Sequence, residues 1–406
     1  MSYESLSNLL GSLEFLYAMS EPTAGQISPR QRRQYVRQEH IRFIETRFRI
    51  FDEYLVTRRP EGFLEFIKLL PDEFEDLYER IGSGLEHPRT HLGPVTGRHR
   101  LMIYLRFVTQ RRTFTAYALD IGMGKTTVSN VVEEVAEAII RGISRTLAIY
   151  ITTNRDSVLH NVAFPPLTRA RLEEVARKTQ ARFSVLMQDV YNDSVCLEAR
   201  PLWKYYWNYK HYHSIILLAI CDCDYRFMAY DVGAPGRRGD AGVFRNSAIK
   251  RWLERHDDVF PPTRGLGRVG PVQYHFLVDG GFAQGPRFIR PYREPETTTG
   301  DRRRFNRQLS GARHMIESTF GLLAQRFQIL MTRMTLTPER AKRLVVSLMI
   351  LHNMLPRRQD SLAEVERFRP AQNAYHPLRN TDLLPTGGAA RDLITQYYVD
   401  LYGHER

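Results

Sequence analysis

The run Ser214-Ile215-Ile216-Leu217-Leu218-Ala219-Ile220-Cys221, followed after a short interval by Phe227-Met228-Ala229-Tyr230-Asp231-Val232, decides the fold. An uncharged apolar run of this length suits a strand buried on both faces and is far too short to span a bilayer. Asp222 to Tyr225 between the two runs is turn-like, so the pair reads as a hairpin. Outward from it the pattern stays mixed. From about Ser184 the texture is strand-like, with Val195, Leu197 and Ala199 alternating, and Tyr274 to Val278 is a short apolar strand closing on Asp279-Gly280-Gly281. Asp240 to Trp252, Arg302 to Leu330 and Pro338 to Leu355 read as helices, and Pro286 to Gly300 as a Pro/Glu/Thr loop. Strands and helices in this order make an α+β protein.

The preceding sequence is helical. Leu6, Leu9, Leu10 and Leu13 fit one apolar face, and Ile41, Ile44, Phe48 and Phe51 mark a stripe through an arginine-rich stretch from Ser28 to Pro60. Helices follow at Phe63 to Leu70, Asp72 to Ile81, His99 to Thr109, Phe114 to Leu119 and Lys125 to Thr146. The texture divides the chain into a basic helical extension over 1–60, a helical region over 61–180, a strand-bearing domain over 181–355 and a polar tail over 356–406. Within Thr113 to Ala138, a short helix, a turn with Gly122 and Gly124, and a second helix form a helix-turn-helix pattern. Lys125, Thr126, Thr127, Ser129 and Asn130 open the second helix, where small polar and basic side chains suit phosphates and base edges; an ordinary helical hairpin is the plainer reading. A phosphate loop is rejected, because Leu119 stands where that pattern needs glycine and a helix, not a strand, precedes it.

The chain has 406 residues and a net charge of +13, which favours polyanions as partners. Three cysteines exclude a disulfide scaffold and suit a reducing compartment; Cys221-x-Cys223 lacks zinc-site spacing. No apolar run reaches membrane-spanning length, and Met1 to Met19, with Glu4 and Glu14, lacks the basic start of a signal peptide.

Acidic residues gather at the strand ends: Asp189 and Asp193 near the first strand, Asp231 and Asp240 around Val232 to Gly236, and Asp279 after the late strand. Glu317 lies on the shoulder of a helical face made by Ile316, Phe320, Leu323, Phe327 and Leu330, with an ion pair to Arg313 as its plain alternative role. Three carboxylates from two strands and a helix can hold two Mg²⁺ ions through hard oxygen ligands and so clamp an in-line phosphodiester displacement. Trp203 to His211 is dense in aromatic residues and lysine. Packing against the sheet is the preferred reading, and a DNA-facing hairpin with Lys204 or Lys210 on phosphate is the other.

The order strand(Asp)–hairpin–helix–strand(Asp)–helix(Glu) resembles an RNase H-like DDE transposase core, and the segments resemble the PIF/Harbinger transposase and Harbinger-derived nuclease family. The matching stretches are Phe63 to Gly84, Arg100 to Ile139, Asn208-Tyr209-Lys210 to Cys221, Asp231-Val232-Gly233-Ala234-Pro235-Gly236 through Asn246, Phe276 to Phe282, Phe305-Asn306 through Glu317 to Phe327, and Leu351-His352-Asn353. The resemblance implies a helical N-terminal region with a helix-turn-helix, then an RNase H-like mixed sheet with flanking helices. It also implies a metal-dependent DNA endonuclease with Mg²⁺ or Mn²⁺ on Asp193, Asp279 and Glu317, Asp189 being the alternative first acid and Asp240 an accessory residue. Further implications are DNA as partner, a separate Myb-like DNA-binding protein, self-association, and a nuclear location with the cytoplasm as alternative. A domesticated relative that binds DNA or chromatin without cutting is the competing reading.

Overall fold

The computed structural model describes residues 48–57, 60–88, 95–141, 163–183, 187–197, 204–208, 211–238, 240–280, 282–285, 287–355, 379–380 and 387–405. The expected helix around Leu6 to Leu13, most of the arginine-rich stretch and Lys210 lie outside them. The helices α1 (Arg49–Thr57), α2 (Pro60–Ile67), α3 (Pro71–Ile81), α4 (Gly97–Val108), α5 (Phe114–Asp120), α6 (Lys125–Arg141) and α7 (Arg169–Phe183) precede the first strand. Pro71 at the first position of α3 supplies a preset φ where no amide donor is needed. Thr96 and Thr113 cap α4 and α5 by accepting the amides of His99 and Ala116.

β1 (Met187–Leu197), β2 (His213–Cys221) and β3 (Phe227–Pro235) form an antiparallel meander. Every residue of β2 is buried, as its unbroken apolar run requires of a central strand covered on both faces. After α8 (Asp240–Arg245) and α9 (Ala248–Arg255), the pairs β4 (Arg264–Gly265) and β5 (Pro271–Val272) join β8 (Arg379–Asn380) in a small separate sheet. β6 (His275–Val278) and β7 (Phe288–Ile289) return to the main sheet, parallel to β1, giving the order β3-β2-β1-β6-β7. The short strand β7 lies inside the stretch whose proline and glutamate content reads as a loop.

Two long helices, α10 (Gly300–Arg326) and α11 (Pro338–Met354), cover one face of this sheet. Phe227 of β3 meets Phe320 of α10 at 5.4 Å and His352 of α11 at 5.3 Å between ring centroids. On the other face Phe244 of α8 packs on Phe288 at 4.9 Å. Leu351-His352-Asn353 ties α11 to the hairpin: His352 Nε2 donates to the Tyr225 carbonyl at 2.9 Å. Asn353 accepts the Phe227 amide at 3.0 Å and donates to the carbonyls of Phe227 and Ala163 at 2.7 and 2.8 Å.

The opposite side of α11 packs on α6, and Ser347 meets the buried Tyr104 hydroxyl at 2.6 Å. The helices before residue 180 and the sheet after it therefore share one hydrophobic core. The end of the chain departs from the expected polar tail. Gly387–Tyr402 forms α12, which buries Ala390, Ile394, Tyr397 and Tyr398 and packs on α10. Their spacing, i, i+4, i+7, i+8, is a helical stripe, half of it tyrosine.

Two predictions concern stability. Asn353→Leu leaves one amide and two carbonyls without their buried partner, so urea unfolding should lose about 3 kcal/mol with an unchanged m value. Burial pushes the His275 imidazole down to about 4. The unfolded ring takes up a proton near ~6.5 while the folded one stays neutral, so stability is full above pH ~6.5 and falls by up to about 3 kcal/mol towards pH ~4. In His275→Phe, the acid limb of a stability–pH profile should be shallower by one proton.

Candidate active site

β6 is four buried residues, His275 to Val278, and the chain turns as soon as it leaves the sheet. The half-buried Asp279 makes that turn: its Oδ1 accepts the Gly280 amide at 2.6 Å and its carbonyl accepts the Phe282 amide at 2.9 Å. Phe282 anchors the far side of the turn against Phe244, with ring centroids 5.1 Å apart. A carboxylate at a strand end is thereby fixed by the local backbone.

The parallel register sets Asp189 opposite Leu277 and Val190 opposite Val278. One step further, Asp279 falls level with Tyr191. Successive residues of a strand alternate between faces, so positions 189, 191 and 193 share one side of the sheet. Asp189 and Asp193 stand two residues either side of the level of Asp279, about 7 Å along the strand in each direction. Both aspartates lie within β1, and the register is symmetric between them.

α10 covers that same side. Cys221 pairs with Asp189 across β1–β2 and with Phe227 across β2–β3, and Phe227 packs on Phe320 of α10. Glu317 lies one turn before Phe320, exposed beside the buried Ile316 at the edge of the helix's packed stripe. The backbone thus brings strand positions 189 and 193, the end of β6 and the helix bearing Glu317 to one face. Among the described side chains, no three of His, Cys, Asp or Glu form a metal-binding group, and the side chains of Asp189 and Asp193 lie outside that set. The candidate donors are all carboxylates, the hard oxygen ligands that suit Mg²⁺ or Mn²⁺.

Asp231 has structural work. Asp231 Oδ2 accepts the Ala248 amide at 2.8 Å, at the start of α9. Asp240 is the first residue of α8, and its side chain lies outside the described ones.

Between α5 and α6 the chain turns through Gly122 at φ +59°, a left-handed conformation that favours glycine. Lys125, Thr126, Thr127 and Asn130 are exposed at the start of α6, and Ser129 is half-buried. The rest of the helix is committed elsewhere: Val128, Val131, Val132 and Val135 are buried, and Glu133 pairs with Arg340 at 2.9 Å and Arg343 at 2.5 Å. Glu134 pairs with Arg100 at 2.6 Å. Lys204 is exposed beside Tyr205 and Trp207, which are also exposed, whereas packing was the preferred reading of this stretch. Sequence reading also passed over Arg237 and Arg238, exposed beyond β3, because nothing local in the sequence marks their proximity to Tyr205.

The DDE superfamily endonuclease family matches residues 200–353, a span that contains Asp279 and Glu317 and begins after Asp189 and Asp193. "Putative nuclease HARBI1" of Mus musculus is 23% identical over 317 residues, covering 75% of this chain and 78% of that protein. The Homo sapiens protein of the same name is 23% identical over 319 residues with the same coverage. "Protein ALP1-like" of Arabidopsis thaliana is 22% identical over 270 residues, 64% of this chain and 61% of that protein. No solved structure matches the chain. The chain therefore carries a DDE superfamily endonuclease domain and is homologous to the HARBI1 and ALP1-like proteins, which are Harbinger-derived transposase relatives.

Proposed function

We propose that this protein is a metal-dependent DNA endonuclease of the Harbinger transposase type, working on an RNase H-like sheet. One observation carries the reading: the β1–β6 register sets Asp279 level with the position midway between Asp189 and Asp193, on the face covered by the helix bearing Glu317. The strand order, with an antiparallel β1–β2–β3 meander and parallel β6 and β7, supports the fold assignment.

Asp193, Asp279 and Glu317 would hold two Mg²⁺ or Mn²⁺ ions, with Asp189 as the alternative first acid. Ions bound there would supply the positive charge that phosphodiester displacement needs. Asp279 is fixed for the task by its turn, and Glu317 by a helix anchored at both Ile316 and Phe320. The α5–turn–α6 unit acts as a helix-turn-helix that touches duplex DNA only with the opening of α6. Lys125, Thr126, Thr127, Ser129 and Asn130 make that contact, because the acidic residues further along are paired with arginines of α4 and α11. The N-terminal extension, a Myb-like partner, self-association and a nuclear location belong to the same proposal.

The test is nicking of supercoiled DNA by the full chain in Mg²⁺ or Mn²⁺. Asp279→Asn and Glu317→Gln should each lower the rate at least about a hundredfold and remove the thermal stabilisation that Mn²⁺ gives the parent protein. Asp193→Asn should do the same and Asp189→Asn should not. Unchanged cleavage and Mn²⁺ response in Asp279→Asn would overturn the site. DNA binding without cleavage by the parent protein would favour the domesticated reading.

A separate measurement concerns the helix start. Lys125→Ala should lower the slope of log K against log salt for duplex binding by about 1, and an unchanged slope would remove α6 from the interface.

A further inference from the structure

The strongest unassigned feature lies where β1 and β3 end and β2 begins. Leu197 closes β1 opposite His213, and Pro235 closes β3 opposite Ile215. Two loops meet there. The segment Lys204 to Trp207 approaches the start of β2, where Trp207 bridges to His213. From the other side, the turn after β3 donates the Arg237 amide to the Tyr205 carbonyl at 3.4 Å. Gly236 makes this approach sterically feasible: a Cβ at that position would lie 2.1 Å from Ser214 Oγ and 2.9 Å from the Tyr206 carbonyl oxygen. Asn208 holds the base of the loop, exchanging backbone and side-chain hydrogen bonds with His211, Tyr212 and Ser214.

The surface so built is aromatic and cationic. Tyr205 is 70% exposed and Trp207 44% exposed, large values for rings this size. Trp207 is steadied by an edge contact with His213, the ring centroids being 5.1 Å apart. Lys204, Arg237 and Arg238 are exposed, and no carboxylate among the described residues forms a salt bridge with any of them. Exposed cations beside open ring faces fit a polyanion whose bases are available for stacking. Duplex DNA hides its base faces inside the helix, and an unpaired strand presents them.

We propose that Lys204, Tyr205, Trp207, Arg237 and Arg238 form a docking surface for an unpaired DNA strand, a reading that rests on DNA cleavage at the carboxylate site. The position fits. β1 and β6 run in the same direction, so Asp279 and this surface lie toward the same end of the sheet. From Asp193 to the end of β1 is four residues, and from the level of Asp279 six, which is roughly 13 to 20 Å along the strand. At the duplex rise of about 3.4 Å per nucleotide that is at most on the order of four to six nucleotides of track, and an extended unpaired strand covers it with fewer. The strand held there would be an end freed or frayed beside the cleavage point. The opening of α6 offers lysine and hydroxyls without exposed rings, a chemistry for duplex backbone, so the two surfaces divide between paired and unpaired DNA.

The test compares binding of a labelled single-stranded oligonucleotide and its duplex to the full chain by fluorescence anisotropy. Tyr205→Ala combined with Trp207→Ala should weaken single-strand binding about tenfold or more and leave duplex binding within about twofold. Arg237→Ala combined with Arg238→Ala should lower the single-strand salt slope by about 1.4. Tyr205→Ala alone and the arginine pair, all at exposed positions, carry the test if the Trp207 variant does not fold. No single-strand binding by the parent protein, parental affinity in both double variants, or equal losses for duplex and single strand would each overturn the proposal. Tighter binding of an RNA of the same sequence would overturn the choice of DNA. Cleavage with undisturbed strand affinity in the variants sinks this surface alone; strand affinity lost in the variants of a protein that never cuts sinks the nuclease reading and leaves the surface standing.

Discussion

Four residue pairs, Met187 with His275 through Val190 with Val278, join stretches of chain that lie far apart in sequence. This short parallel ladder is the constraint on which the candidate site depends. A parallel pairing needs a crossover, supplied here by β2, β3, α8, α9, β4 and β5. The crossover delivers β6 to the edge of β1 left open by the meander, and residue 279 then leaves the sheet level with residue 191. A slip by one residue would move residue 279 by about 3.3 Å and place it level with a position of opposite parity on β1. The burial of all four β6 residues opposes such a slip, since it would exchange the contents of two packed faces.

Much of this was legible in the sequence because the elements that matter carry strong signals. β2 is a continuous apolar run, and its hairpin with β3 turns on polar residues at Asp222 to Tyr225. α10 and α11 keep a helical stripe over several turns, so Glu317 could be placed on the shoulder of a packed face before its surroundings were known. The first acid was harder to choose. Asp189 and Asp193 have the same parity in one uninterrupted strand and stand equally far from the level of Asp279, so neither alternation nor register separates them. β7 escaped because two residues between prolines carry too little pattern, and its strand character comes from pairing with β6. α12 escaped because half of its buried stripe is tyrosine after a long polar stretch, and tyrosine satisfies a core and a surface equally well in composition. Its place is secured by tertiary contacts invisible locally: the Tyr292 hydroxyl bonds Asp392 at 2.7 Å and Thr395 at 2.9 Å.

The net positive charge of the chain says less about DNA than its distribution does. Several arginines are spent internally. Arg340 and Arg343 neutralise Glu133, Arg100 neutralises Glu134, and Arg304 bonds Glu405 near the chain end. Partly buried pairs of this kind contribute to fit more than to net stability, since each ion gives up hydration to form them. Exposed cations at the opening of α6 and around Tyr205 and Trp207 are among those left for a polyanion, and each group has a distinct chemical setting.

α11 joins these surfaces mechanically. Its outer side carries the arginines that hold α6, its inner side packs on β3, and its last turn grips the β2–β3 hairpin through His352 and Asn353. Because Tyr104, Ser347 and the valines of α6 belong to the same core as the sheet, the opening of α6 cannot swing relative to β3 without breaking that core. Close-packed interiors resist such shear. DNA held at α6 in the proposed mode would therefore be presented to the sheet in a fixed orientation, because the relation between the opening of α6 and the carboxylate face is set by folding. The sequence boundary near residue 180 has no counterpart in the packing, because the helices before it and the sheet after it bury their apolar faces in one core.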